Sequence, residues 1–120
     1  FAWIVNSKDG LDEISPYAKT NVIQLKDNKI SEIIINPKEL DINVEKFENL
    51  IGSDAKFNAI KMIDIFKGED NDFSKAVCLN AGAGLIINET HQNFADAYNN
   101  AREHILSGKT IKHLKKIQNA

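Results

Sequence analysis

Two runs rich in β-branched residues, Thr20 to Leu25 and Ile30 to Ile35, stand on either side of the four residues Lys26-Asp27-Asn28-Lys29. Partial alternation within each run and turn-forming residues between them predict an antiparallel hairpin. Pro37 ends the second strand, and a short helix is expected around Val44 to Leu50. The second half of the chain reads as helices. Asp54 is a good N-cap; Phe57, Ile60 and Ile63 recur at three-residue spacing with Met62 and Phe66 beside them, and Gly68 stops the helix. Asp72 is placed to cap a second helix running to about Asn88, with Ala81, Gly82, Ala83 and Gly84 in its middle. Each helix-interior glycine costs about 1 kcal/mol relative to alanine. That cost is best understood if another backbone packs closely against this helix. Asn93 caps a third helix, Phe94 to Leu106, with Phe94, Ala97, Ala101 and Ile105 on one stripe, and Ser107-Gly108 breaks it. A last helix turns Ile111, Leu114 and Ile117 inward and Lys112, Lys115 and Lys116 outward.

The chain opens on Phe1-Ala2-Trp3-Ile4-Val5, a bulky apolar run with no initiator methionine, which predicts a buried strand. Chains seldom start inside their own core, so the 120 residues are expected to be a fragment of a longer protein. With no repeat or linker to divide it, residues 1–120 are read as one α/β unit, a few strands flanked by helices. The 15 basic and 17 acidic side chains leave a formal charge of −2, too little for a global field toward nucleic acid or an anionic membrane. The single cysteine, Cys78, excludes an internal disulfide and suits a reducing cytoplasm. No signal peptide is visible, and the apolar runs are too short to span a bilayer as a helix.

Chemistry concentrates in Asp9-Gly10-Leu11-Asp12-Glu13, after the first strand and the turn-forming residues Asn6-Ser7-Lys8. Adjacent carboxylates offer hard oxygen ligands suited to Mg²⁺, which takes one or two carboxylates and completes its octahedron with water and phosphate oxygens. On spacing alone, a solvated helix start is the commoner role for such a pair.

Asp9-Gly10-Leu11-Asp12-Glu13-Ile14-Ser15 is, however, very similar to the DGLDE-hydrophobic-Ser signature of anthranilate phosphoribosyltransferases. The likeness continues through Pro37, Gly52-Ser53-Asp54-Ala55, Asn58-Ala59, Phe66-Lys67-Gly68, Leu79-Asn80-Ala81-Gly82-Ala83-Gly84-Leu85 and Ser107-Gly108-Lys109, in order and at approximate spacing. It covers essentially the whole chain; the acidic element and the Leu-Asn-Ala helix are its specific parts. The resemblance implies the C-terminal portion of a nucleoside-phosphorylase-like α/β domain, in which Asp12 and Glu13 hold the Mg²⁺ that binds the diphosphate of phosphoribosyl pyrophosphate. It implies displacement of pyrophosphate from the ribose by the amino group of anthranilate, a step of tryptophan biosynthesis, in a cytoplasmic homodimer. Asn6-Ser7 depart from the His-Gly often found there, which puts any substrate contact of these two positions in doubt. The family's helical N-terminal domain, glycine-rich phosphate loop and Lys-His-Gly segment have no counterpart here, so the chain alone is expected to be inactive.

The remaining candidates are weaker. His91, His104 and His113 lack the same-face spacing of a zinc site and read as surface or satisfied histidines. Cys78 reads as an inert buried thiol, and Lys109 to Lys116 as a solvated helix face. Asn80, polar in an apolar helix, must find partners if buried, and a neighbouring loop's backbone is the expected one. Two alternatives remain open: a paralogue of the same superfamily resembling pyrimidine-nucleoside phosphorylases, and a non-catalytic binding domain that has kept the fold.

Overall fold

In the computed structural model, which covers all 120 residues, the hairpin forms with strands one residue longer at the turn than the sequence suggests. Strand β2 (Thr20–Lys26) and strand β3 (Lys29–Ile35) pair antiparallel up to Lys26 opposite Lys29. Only Asp27 and Asn28 remain in the turn, at φ 51° and 58°. Two residues with positive φ give the mirror-image turn whose twist matches that of the strands, and Asp and Asn tolerate it best after glycine. Strand β1 (Ala2–Ser7) pairs antiparallel with β2, Ala2 opposite Leu25 and Ser7 opposite Thr20, giving the sheet order β1-β2-β3.

The register sorts the sheet into two faces. Trp3, Val5, Ser7, Thr20, Val22, Ile33 and Ile35 share the face toward the helices, where Ser7, Thr20, Val22 and Ile35 are buried. Ile4, Ile23, Leu25, Ile30 and Ile34 share the other, with Ile4 72% and Ile30 74% exposed. The expected strand at the N-terminus is therefore present but not buried: it is a sheet edge covered on one face only.

Four helices follow: α1 (Ala55–Phe66), α2 (Asp72–Ile87), α3 (Phe94–Leu106) and α4 (Lys109–Gln118). Asp54 and Asn93 cap α1 and α3 as expected, accepting from Phe57 N–H and Asp96 N–H. The cap of α2 is Asn71 rather than Asp72. Its side chain accepts from Ser74 N–H while the Ser74 hydroxyl accepts from Asn71 N–H, a reciprocal pair that Asp72 has no partner to form. The segment expected to be helical at Val44 to Leu50 forms one 3₁₀ turn, Phe47–Leu50, and a second such turn, Pro37–Leu40, is capped by Asn36.

Ile14, Val22, Ile35, Ile65, Leu79, Ala83, Tyr98 and Ala101 belong to one core between the sheet and helices α2 and α3. Gly82 is where α2 and α3 meet: a Cβ there would lie 3.1 Å from Tyr98 N and 3.3 Å from the Ala97 carbonyl carbon. Gly84, by contrast, faces open space, so the expected close approach holds for one glycine of the two. Two inward stripes are also revised. On α1 only Ile65 is buried, while Phe57, Ile60 and Met62 are exposed, and on α4 Ile117 is 60% exposed. No helix is long and apolar enough to cross a membrane.

Candidate functional site: an acidic loop braced at both ends

The loop between β1 and β2 begins where β1 runs out of partners. Ser7 N–H donates to Leu11 O at 3.1 Å and Gly10 N–H to Ser7 O at 3.1 Å, folding the chain back on itself. Gly10 sits at φ +95°, a conformation that side chains resist, which accounts for glycine at this position. Asp9 then holds the turn from within. Its Oδ1 accepts from Leu11 N–H at 3.2 Å, and its Oδ2 accepts from the Ser15 hydroxyl at 2.5 Å. Ser15 Oγ in turn accepts from Tyr17 and Ala18 N–H. Burial raises the Asp9 carboxyl, but bonds from Ser15, Ser7 and the Leu11 backbone outweigh it and hold the group below the ordinary carboxylate range.

The far end of the loop is tied to α2. Ile14, 1% exposed, plugs into the core. Its N–H donates to Asn80 Oδ1 at 3.0 Å and its carbonyl accepts from Asn80 Nδ2 at 3.0 Å, so one amide satisfies both backbone groups of one residue. Asn80 Nδ2 also donates to Ala76 O at 2.9 Å. The partner expected for Asn80 from sequence, a loop backbone, is the one it has.

Between these fixed ends Asp12 and Glu13 are exposed, and neither carboxylate enters a hydrogen bond or ion pair with another side chain. They stand at the rim of an open cleft of about 330 Å³ with apolar walls from Leu50, Met62, Phe66, Phe73 and Val77, where Lys61 also lies. No group of three or more His, Cys, Asp and Glu side chains converges to make a metal cage. An adjacent pair of free carboxylates is the kind of donor set that Mg²⁺ ordinarily takes together with water and phosphate oxygens.

The other candidates separate cleanly. His91 is half-buried, while His104 and His113 are exposed on different helices. Cys78 is buried, and burial, reinforced by the charge of Asp70, pushes its thiol up to about 11. Ser7 is buried and its hydroxyl donates to Lys19 O at 3.4 Å, whereas Asn6 is exposed. Sequence reasoning missed the Asp9 to Ser15 bond. The density of Ser, Asp, Asn and Thr from Asn6 to Thr20 was the available signal, since such side chains bond to nearby backbone in loops.

A small sheet, helices on one of its faces and an acidic loop leaving an edge strand place the chain in a known α/β class. Anthranilate phosphoribosyltransferase from Thermus thermophilus superimposes with a TM-score of 0.85 over 96% of this chain and 34% of that one, at 24% identity. The Saccharomyces cerevisiae enzyme in complex with PRPP and Mg gives a TM-score of 0.82 over 94% and 33%, at 23% identity. At such identities the likeness establishes the fold. Residues 1–111 match the sequence model described as glycosyl transferase family, a/b domain, and the chain belongs to that family. An anthranilate phosphoribosyltransferase from Pelagibacter ubique (strain HTCC1062) is 74% identical over 119 residues. Those residues are 99% of this chain and 36% of that relative, so the chain spans little more than a third of the protein it resembles.

Proposed function

We propose that this chain is the C-terminal part of an anthranilate phosphoribosyltransferase, contributing the loop on which Asp12 and Glu13 hold Mg²⁺. The observation that carries this reading is the 74% identity over nearly the whole chain, together with an intact Asp9-Gly10-Leu11-Asp12-Glu13 loop whose last two carboxylates are free. Such close identity also favours this activity over a nucleoside phosphorylase paralogue or a non-catalytic domain. In the complete protein the substrates are phosphoribosyl pyrophosphate and anthranilate, and the reaction serves tryptophan biosynthesis. Mg²⁺, when bound with the diphosphate, supplies charge neutralisation for the departing pyrophosphate. This chain's part is positional: Gly10 turns the loop, Asp9 and Asn80 fix its ends, and Asp12 and Glu13 project free carboxylates. The unpaired sheet face of Ile4, Ile23, Leu25, Ile30 and Ile34 is where the remainder of the catalytic domain packs. The complete protein works as a cytoplasmic homodimer, a setting that the buried, free Cys78 thiol suits.

The test uses the complete protein. Asp12→Asn and Glu13→Gln are each expected to lower phosphoribosyl transfer by about 100-fold, the scale of losing one charge-stabilising group, while far-ultraviolet circular dichroism stays unchanged. Wild-type turnover by both variants at limiting Mg²⁺ removes the metal role. The 120-residue chain alone is expected to be inactive and to bind Mg²⁺ weakly in calorimetry, because half a coordination shell lacks the phosphate oxygens that complete it.

A further inference from the structure

Resting on that reading, we infer that Asn80 is a positioning residue for the metal site: its carboxamide sets the aim of the Asp12 and Glu13 carboxylates without touching metal or substrate. Three observations converge on it. Ile14 directly follows Glu13, and Asn80 holds both the N–H and the C=O of Ile14 at 3.0 Å, fixing the peptide planes on either side of that residue. The third bond, from Asn80 Nδ2 to Ala76 O at 2.9 Å, locks the carboxamide to its own helix, so the clamp has little freedom to swing. Asp9 ties the near end of the loop to the residue just past that clamp, accepting from Leu11 N–H within the loop and from the Ser15 hydroxyl beyond Ile14. Between Leu11, held by Asp9, and Ile14, held by Asn80, stand only Asp12 and Glu13, and theirs are the carboxylates left free there.

This division assigns different work to the three acids of the motif. Asp9 is engaged through both oxygens and serves the loop's shape; Asp12 and Glu13 are left for the metal. The brace also addresses the repulsion between adjacent carboxylates, which in an unsupported loop favours splayed conformations when no cation is bound. Loss of a group that orients metal ligands without coordinating typically costs about 10–100-fold in metal affinity or activity, and a clamp that touches neither metal nor substrate acts on the affinity.

The experiment is done on the complete protein with Asn80→Ala. The Mg²⁺ concentration for half-maximal turnover is expected to rise about ten-fold, the usual scale for losing a residue that orients a ligand, while turnover at saturating Mg²⁺ stays close to wild type. Hydrogen exchange at the amides of Leu11 to Ile14 is expected to accelerate in the same variant. Ile105→Val, which trims the core on α3, lowers the melting temperature but leaves both readouts unmoved, and so separates positioning from general stability. If the alanine variant does not fold, Asn80→Leu stands in for it, keeping the side chain's shape while losing all three bonds and adding no charge. A wild-type Mg²⁺ requirement with wild-type exchange in a folded variant overturns the inference, as does a fall in saturated turnover with the Mg²⁺ requirement unchanged. Failure of the transferase reading looks different: the wild-type protein itself then shows no Mg²⁺-dependent phosphoribosyl transfer, and exchange at Leu11 to Ile14 still decides the brace.

Discussion

Replacing Gly82 with alanine sets two known effects against each other. In an unobstructed helix the change stabilises by about 1 kcal/mol, because alanine has less backbone freedom to lose and shields the helix backbone from water. At Gly82 the new Cβ would meet Tyr98 N at 3.1 Å, the Ala97 carbonyl carbon at 3.3 Å and Tyr98 Cα at 3.3 Å. These are backbone atoms of α3, so no rotamer can clear them and the two helices must separate by a few tenths of an ångström. Separation loosens Leu79, Ala83, Tyr98 and Ala101, all of which pack in the shared core. Overpacking of this kind costs roughly 1–3 kcal/mol, so Gly82→Ala is expected to destabilise by about 1 kcal/mol net. Gly84 lies two residues on, in the same helix, with nothing within 4 Å of its added Cβ, and supplies the internal control. Gly84→Ala is expected to gain the helix term undiminished, which places the two variants about 2 kcal/mol apart. Urea denaturation of the two variants beside wild type measures the gap. Equal stabilisation by both would refute the argument, since it would mean that α2 and α3 do not approach as closely at Gly82 as the geometry requires.

Two further expectations concern titrating groups. Cys78, its thiol raised to about 11 by burial and the charge of Asp70, is expected to resist iodoacetamide at pH 8 in the folded protein and to react readily once denatured; labelling at a free-thiol rate without denaturant would contradict its burial. Asp70 accepts from Arg102 and from Ser74 Oγ, and the Arg102 bond, above all, holds its carboxyl below the ordinary range against the opposing effect of burial. A depressed folded-state value gives stability that is present above the unfolded carboxylate range and lost as the pH falls through the folded one. Asp70→Asn is therefore expected to lower the melting temperature at pH 6 but not at pH 2. The effect is under about 1 kcal/mol because the pair is largely exposed, and an equal deficit at both pH values would show that the charge is not its source.

The sequence made the hairpin, the first strand and the caps of α1 and α3 legible, because each rests on local chemistry: β-branched runs, turn residues, and an Asp or Asn ahead of an apolar stripe. What it could not resolve was which face of a helix meets the rest of the fold. Helix α1 carries apolar residues at Phe57, Ile60, Met62, Ile63, Ile65 and Phe66, nearly all round, so periodicity selects no single face; contact with the core buries Ile65 and leaves the three-residue stripe largely outside. The α2 cap was misplaced by one residue for a similar reason. Asp72 and Asn71 are equally good capping types, and only the position of Ser74 three residues after Asn71 decides between them. The free carboxylates of the site were legible through the motif; the brace behind them was half legible, since Asn80 announced a need for partners while nothing in its surroundings named Ile14.

Helix α2 explains why these features fall together. Residues Cys78 and Leu79 sit in the core, Asn80 reaches the acidic loop, and Gly82 seats the helix against α3, all within five consecutive positions. A helix presents such neighbours in different directions about 100° apart, so one short segment can face the core, the loop and another helix at once. The glycine's contact sets how closely α2 lies against α3, while Asn80, on another side of the same helix, holds both backbone groups of Ile14 in the loop. The clamp on the loop and the seat of the helix are thus two residues apart on one rigid element. The close approach of α3 is the physical reason that Gly82 stands in mid-helix despite its unfavourable propensity, because any side chain there would push the two helices apart.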